Sequence, residues 1–187
     1  MRRYFVPLSL LLCILMVVTS FVGANNIQYF MPTNIQFYAL TKPVQKQIEC
    51  LAENIYFEAG HEPTKGQVAV ALVTLNRVSS GNYAKDICGV VNQKTNGTCQ
   101  FSWVCMPNFT SKRLTIRDTR LYNEIRDLAM NVVMNYENIT DITKGAPYYH
   151  ADYVNPGWGF PKTTKIGAHI FYKRESDLRT MTKEIKL

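Results

Sequence analysis

The chain opens on one long apolar run, Leu8 to Val22, and only later settles into helical spacing. Ile48, Leu51, Ala52, Ile55 and Ala59 then fall three or four residues apart, which predicts a helix over about 44–59 that stops at Gly60. Thr64-Lys65-Gly66-Gln67 reads as a capping box with Thr64 as N-cap. The helix it opens carries Val68, Ala71, Leu72, Leu75 and Val78 on one face and closes near Gly81. Asp86 is placed to cap a short helix holding Ile87, Val90 and Val91. Turn formers dominate from Asn92 to Thr115, and a last long helix is predicted from Asp118 to Tyr136, with Leu121, Ile125, Leu128 and Val132 in register. After Gly145 the pattern changes to two strands, Tyr148-Tyr149-His150 and Ile166 to Tyr172, around a Trp/Gly/Pro turn region. The expected class is α+β, mostly helical. At 187 residues and 47% hydrophobic the chain has room for one such domain and its core, not two.

The apolar run bears on location. Arg2 and Arg3 precede it, and Val22-Gly23-Ala24 offers a small-residue cleavage site, the three parts of a secretory signal peptide. The competing reading is a retained anchor, since Phe5 to Ala24 would just span a bilayer core of ~30 Å. Either way the domain is expected to be exported to the periplasm, cell wall or exterior, with 1–24 as leader, 25–43 as an irregular spacer and 44–187 as the folded unit. Any membrane contact would run through residues 1–24. Cysteine usage agrees: with Cys13 in the leader, Cys50, Cys88, Cys99 and Cys105 are even in number and allow three pairings. Cys99 and Cys105 are close enough to clip a loop. No C-x-x-C pair occurs, so zinc is not implied, and no metal or other cofactor is expected.

Charge narrows the partners only so far. Lys and Arg number 21 against 14 Asp and Glu, a balance that suits nucleic acid, an anionic membrane or an acidic wall polymer. No Lys/Arg-rich run of the nucleic-acid kind is present, which sets nucleic acid aside. Among candidate catalytic groups, Glu58 lies at a helix end between Tyr56-Phe57 and Ala59-Gly60, where desolvation would raise its pKa toward that of a general acid. A solvated helix-end carboxylate fits the same pattern. Glu62 follows four residues on, but Gly60 and Pro63 bend the chain, so the pair that ordinary glycoside hydrolysis needs is not placed on one helical face. A cysteine nucleophile with His150 or His169 is the rival chemistry.

The run Leu51-Ala52-Glu53-Asn54-Ile55-Tyr56-Phe57-Glu58-Ala59-Gly60-His61-Glu62-Pro63, followed by Gly66-Gln67-Val68-Ala69-Val70-Ala71 and Asn76-Arg77-Val78, resembles the SleB-like cell wall hydrolases. The likeness continues in Cys99-Gln100-Phe101-Ser102-Trp103, in Ala146-Pro147-Tyr148-Tyr149-His150 and in Ile166-Gly167-Ala168-His169-Ile170-Phe171, spanning roughly 50–172. Ala59-Gly60-His61 stands where that family has Ala-Arg-Gly. The resemblance implies a lysozyme-like, lytic-transglycosylase-related domain with a small antiparallel sheet, a peptidoglycan glycan strand as partner, a monomer, and Glu58 as the acid. Glu62, Gln100, Ser102, Trp103 and Tyr149 are the expected substrate-binding residues. A cysteine-dependent wall peptidase or amidase and a non-catalytic wall-binding protein are the alternatives.

Overall fold

The computed structural model describes residues 36–106 and 116–179. The predicted leader, most of the spacer and part of the turn-rich segment lie outside them. Four helices come in order: α1 (Lys42–Ala59), α2 (Thr64–Ser79), α3 (Ile87–Asn92) and α4 (Thr119–Met134). The strands are β1 (Lys94–Thr95), β2 (Thr98–Cys99), β3 (Tyr148–Ala151), β4 (Lys162–Ile166) and β5 (His169–Tyr172). A two-stranded ribbon pairs β1 with β2, and a three-stranded antiparallel sheet has the order β3-β5-β4. The mostly helical α+β class is what the periodicity predicted.

Helix α1 packs against α2, α3 and α4. Ile48, Leu51 and Ile55 of α1 meet Leu72 and Leu75 of α2, Val90 of α3 and Ile125 of α4 in one core. Phe37, upstream of the predicted folded unit, is buried in that core. Asp86 caps α3 by accepting from Gly89 N at 2.8 Å, and Asp118 caps α4 through Leu121 N at 2.9 Å. Each satisfies an amide that the helix itself leaves without a partner.

Three expectations are corrected. Pro63, not Thr64, is the N-cap of α2, and no side-chain cap forms. Proline already holds the extended backbone an N-cap requires, so the helix starts one residue earlier, and Gln67 donates instead to the Gly60 carbonyl at 3.2 Å. Second, α2 is not one-faced: Val68 to Ser79 is buried without a break. Its Ala69 and Val73 pack on Ala146, Ile166 and Phe171 of the sheet layer, so the helix is sandwiched between helices and sheet. Third, the Ile166 to Tyr172 segment is a hairpin rather than a strand. Gly167 turns it at φ +56°, and β4 begins four residues earlier than the apolar pattern, because Lys162 to Lys165 is polar.

The cysteines pair Cys50–Cys88 and Cys99–Cys105. The first ties α1 to α3; the second closes the segment after the ribbon into a loop that carries a 3-10 turn over Ser102–Cys105. Among the described residues no helix is long and apolar enough to cross a membrane.

Candidate active site

The pleat of β3 sends Tyr149 to the α2 side of the sheet, level with its partner Phe171. There the Tyr149 hydroxyl donates to Glu58 Oε2 at 2.8 Å, joining the last turn of α1 to the sheet across 91 residues of sequence. The two line a cleft of about 440 Å³, with Arg77 from α2, the 99–103 segment of the disulfide loop, and His150, Tyr153 and His169 from the sheet side.

Burial pushes the Glu58 carboxyl above the usual glutamate range, and the Tyr149 hydrogen bond and the Arg77 charge pull the other way. Desolvation is the largest of these effects, so the proton is held more tightly than in water. The C-terminal dipole of α1 acts in the same sense. Burial first, then the neighbouring Glu58 charge, lifts the Tyr149 phenol well above 10, so this hydroxyl stays a donor. The floor thus holds one carboxyl whose proton affinity burial raises, with a fixed donor ready for its anion.

Arg77 is 6% exposed. Its guanidinium lies over the rings of Phe101 and Tyr83, at 4.8 and 5.4 Å from their centroids, and its Nε donates to the Pro147 carbonyl at 2.8 Å. Its neighbour Asn76 donates to Asp141 Oδ2 and to the Ala146 carbonyl, at 3.0 and 3.2 Å. Asp141 in turn accepts from Gly145 N at 2.6 Å. These bonds fix the segment just before β3, and with it the height of Tyr149 over Glu58.

The structure sorts the predicted substrate-binding residues. Gln100, Ser102, Trp103 and Tyr149 all border the cleft. Ser102 is exposed, whereas Trp103 is 4% exposed and donates through Nε1 to Asn54 Oδ1 at 2.9 Å inside the core. One side of its ring system stacks on Phe57, centroids 4.7 Å apart, so Trp103 is both core and cleft wall. Glu62 is not brought in. Its Oε2 accepts from Ala168 N at 3.3 Å and sits so close to Gly167 that a Cβ there would collide with it. The carboxylate is used to seat the β4–β5 hairpin, which accounts for a position outside the cleft.

Among the cleft residues that sequence reasoning did not assign to the glycan site, Arg77, His169 and Tyr153 stand out. Arg77 is the sole charge between Lys65 and Lys85, and a lone charge within an apolar helix was the available signal. His169 is 8% exposed, packs edge-on against Tyr149 at 5.0 Å, and is held below the ordinary histidine range by burial. Nothing in the sequence spacing set it apart from His61 or His150.

With both disulfides formed, Cys50, Cys88, Cys99 and Cys105 have no thiol to offer as nucleophile, and the cysteine-dependent alternative falls. Among the described residues no group of three His, Cys, Asp or Glu is arranged to hold a metal ion.

Comparison with known proteins shows the family and the fold. A model of the family described as Cell Wall Hydrolase matches residues 61–172. The chain belongs to that cell wall hydrolase family. It is 32% identical over 132 residues to the spore cortex-lytic enzyme of Oceanobacillus iheyensis, a match covering 69% of this chain and 42% of that protein. The spore cortex-lytic enzyme of Bacillus subtilis is 30% identical over 131 residues, with 66% and 36% covered. The chain therefore spans less than half the length of these relatives. Among solved structures, the catalytic domain of the germination-specific lytic transglycosylase SleB from Bacillus anthracis superposes with a TM-score of 0.50 at 26% identity, over 76% of this chain and 100% of that domain. The Bacillus cereus SleB catalytic domain gives the same score and identity over 81% and 98%. This cell wall hydrolase thus shares the SleB catalytic fold, mostly helical with small antiparallel sheets. The family match begins three residues after Glu58, so the case for that carboxyl stands on the cleft itself.

Proposed function

We propose that the chain degrades peptidoglycan outside the cytoplasm by cleaving the glycosidic bond between N-acetylmuramic acid and N-acetylglucosamine, as a lytic transglycosylase with Glu58 as its acid and base. The observation that carries this is the composition of the cleft: Glu58 is the one acidic side chain among the described residues lining it. Hydrolysis through two carboxylates would need a second, roughly 5–9.5 Å away.

A single glutamate suffices if the nucleophile belongs to the substrate. Protonated Glu58 gives its proton to the glycosidic oxygen as the C1–O bond breaks and an oxocarbenium-like centre develops. The carboxylate left behind is held by the Tyr149 hydroxyl and lies in the field of Arg77. It then takes the proton from the muramic C6 hydroxyl as that oxygen bonds to C1. The product is a 1,6-anhydro end, and Glu58 is protonated again. Because O6 and C1 share one sugar ring, no second reactant must be captured. Gln100, Ser102, Trp103 and Tyr149 are the proposed contacts to the glycan. The two disulfides suit an oxidising compartment, which supports export. The likeness to spore cortex-lytic enzymes and to the germination-specific lytic transglycosylase SleB supports the same chemistry.

The test is mass spectrometry of the soluble products when the purified chain digests intact peptidoglycan. Muropeptides ending in 1,6-anhydromuramic acid are expected, and their absence with Glu58→Gln. Reducing-end sugars would overturn the transglycosylase step, and freed peptides on intact glycan would overturn the assignment of Glu58.

A further inference from the structure

The same pleat that sends Tyr149 inward turns Tyr148, His150 and Tyr172 to the opposite, outer face of the sheet. The excursion between β3 and β4 folds back over that face. Its Trp158 ring lies 5.5 Å from His150 and 5.9 Å from Tyr172, and is stacked at 5.8 Å on Phe160. The cover is incomplete: Trp158 remains 39% exposed, and Tyr153, where the excursion leaves β3, is 86% exposed. Tyr153 and His150 also line the cleft that holds Glu58, and His150 touches Trp158, so the outer aromatic face adjoins the cleft mouth through His150.

Tyr153 is presented by fixed backbone. Asp152 N donates to the Ala168 carbonyl at 2.7 Å and Val154 N to the Ala151 carbonyl at 2.9 Å. The Asp152 carboxylate is 2.8 Å from Lys165 Nζ. The exposed Tyr153 and the part-exposed Trp158 lie on the same β3–β4 excursion beside the cleft mouth, and a group of exposed rings at one place is what marks a surface that meets a partner.

We infer that Tyr153 and Trp158 form a carbohydrate platform, on which pyranose rings of the glycan strand stack beyond the bond being broken. The inference rests on the cleft being the glycan-cleaving site. A pyranose offers a flat C–H face to the electron-rich face of an aromatic ring. Two of the cations bordering the surface are already paired, which disfavours the acidic peptide stems as occupant. Lys165 is engaged by Asp152, and Arg174, which lies over the Tyr148 ring, is held by Asp177 at 3.1 Å. An anion would have to displace those carboxylates, whereas a neutral ring face need not.

The experiment uses the full chain carrying Glu58→Gln, so that nothing is cleaved, and glycan strands stripped of their stem peptides, with intact sacculi beside them. In that background Tyr153→Ala is expected to weaken binding to stripped strands about tenfold, and Tyr153→Phe to restore it. The chain has two tryptophans, Trp103 in the cleft wall and Trp158 on the outer sheet, so Trp158→Ala is expected to remove the Trp158 share of the fluorescence change and to weaken binding to stripped strands severalfold. Parental affinity in both Tyr153→Ala and Trp158→Ala would overturn the platform. So would a loss seen with sacculi and not with stripped strands, which would assign the surface to peptide. Failure of the cleavage reading shows separately, as an unmutated chain that binds strands and releases no fragments.

Discussion

At the floor of the cleft, Glu58, Tyr149 and Arg77 come from two helices and a strand, each side chain bonded to or buried against another element. At the rim, Ser102, Met106 and Tyr153 stand exposed on the disulfide loop and the β3–β4 excursion. Burial lets the floor shift a proton affinity, because a desolvated carboxyl feels its neighbours strongly. Exposure leaves the rim only contact area to offer. The floor should therefore govern the chemical step and the rim the grip on the strand.

The largest expected effect tests that division. Glu58→Gln should lower the rate of fragment release by about 10²–10⁴-fold with an unchanged circular dichroism spectrum, since it removes the proton donor and keeps the side-chain volume. Ser102→Ala at the rim should change kcat by less than about threefold. Equal losses in the two variants would end the distinction between floor and rim.

Next come the disulfides. Cys50–Cys88 spans 38 residues beneath the floor, and Cys99–Cys105 spans 6 at the rim. Chain-entropy arguments give about 4 kcal/mol for the longer loop and about 2 kcal/mol for the shorter. Replacing the first pair by alanines should lower the urea midpoint the more. Replacing the second should raise KM as the loop carrying Gln100 and Ser102 loosens. Denaturant titration and steady-state kinetics on the two double variants separate these outcomes.

A smaller effect sharpens the account of the floor. Tyr149→Phe removes the donor that stabilises the Glu58 carboxylate, so Glu58 should hold its proton to higher pH. Activity requires the protonated acid and falls as pH rises through its pKa. The alkaline limb of kcat/KM, expected above the ordinary glutamate value in the parent because burial raises Glu58, should move further upward in the variant, while the maximal rate drops about tenfold. An unmoved limb would mean that some other group sets it.

The helical floor was the more legible part in sequence. The 3.6-residue rhythm located α1 and put Glu58 at its end, but it fits a desolvated and a solvated carboxyl alike, and only the Tyr149 strand closing over Glu58 decides between them. The rhythm could not show that α2 is buried on both faces, because its second neighbour, the sheet with Phe171 and Ile166, lies some 90 residues away in the chain. For the same reason Arg77 was passed over, although it stands alone in charge along its helix. The rim was nearly illegible: Tyr153 and Trp158 sit in a stretch without periodicity, and the place of Tyr153 beside the cleft follows from the pairing of β3 with β5.

Glu62 is where sequence and structure part, and it supplies the smallest prediction. Four residues from Glu58, it was the candidate for a second carboxylate; instead its oxygen caps the hairpin turn at Ala168 N. Glu62→Gln keeps an oxygen able to accept that bond and removes one charge that favours protonation of His169. Fragment release should stay within about threefold of the parent, with the anhydro ends retained. Were Glu62 the base that activates water, the same exchange would abolish reducing-end products and cut the rate as deeply as Glu58→Gln. Two glutamates one helical turn apart in sequence should thus differ by about a hundredfold or more in what their loss costs, because one faces the cleft and the other faces the sheet.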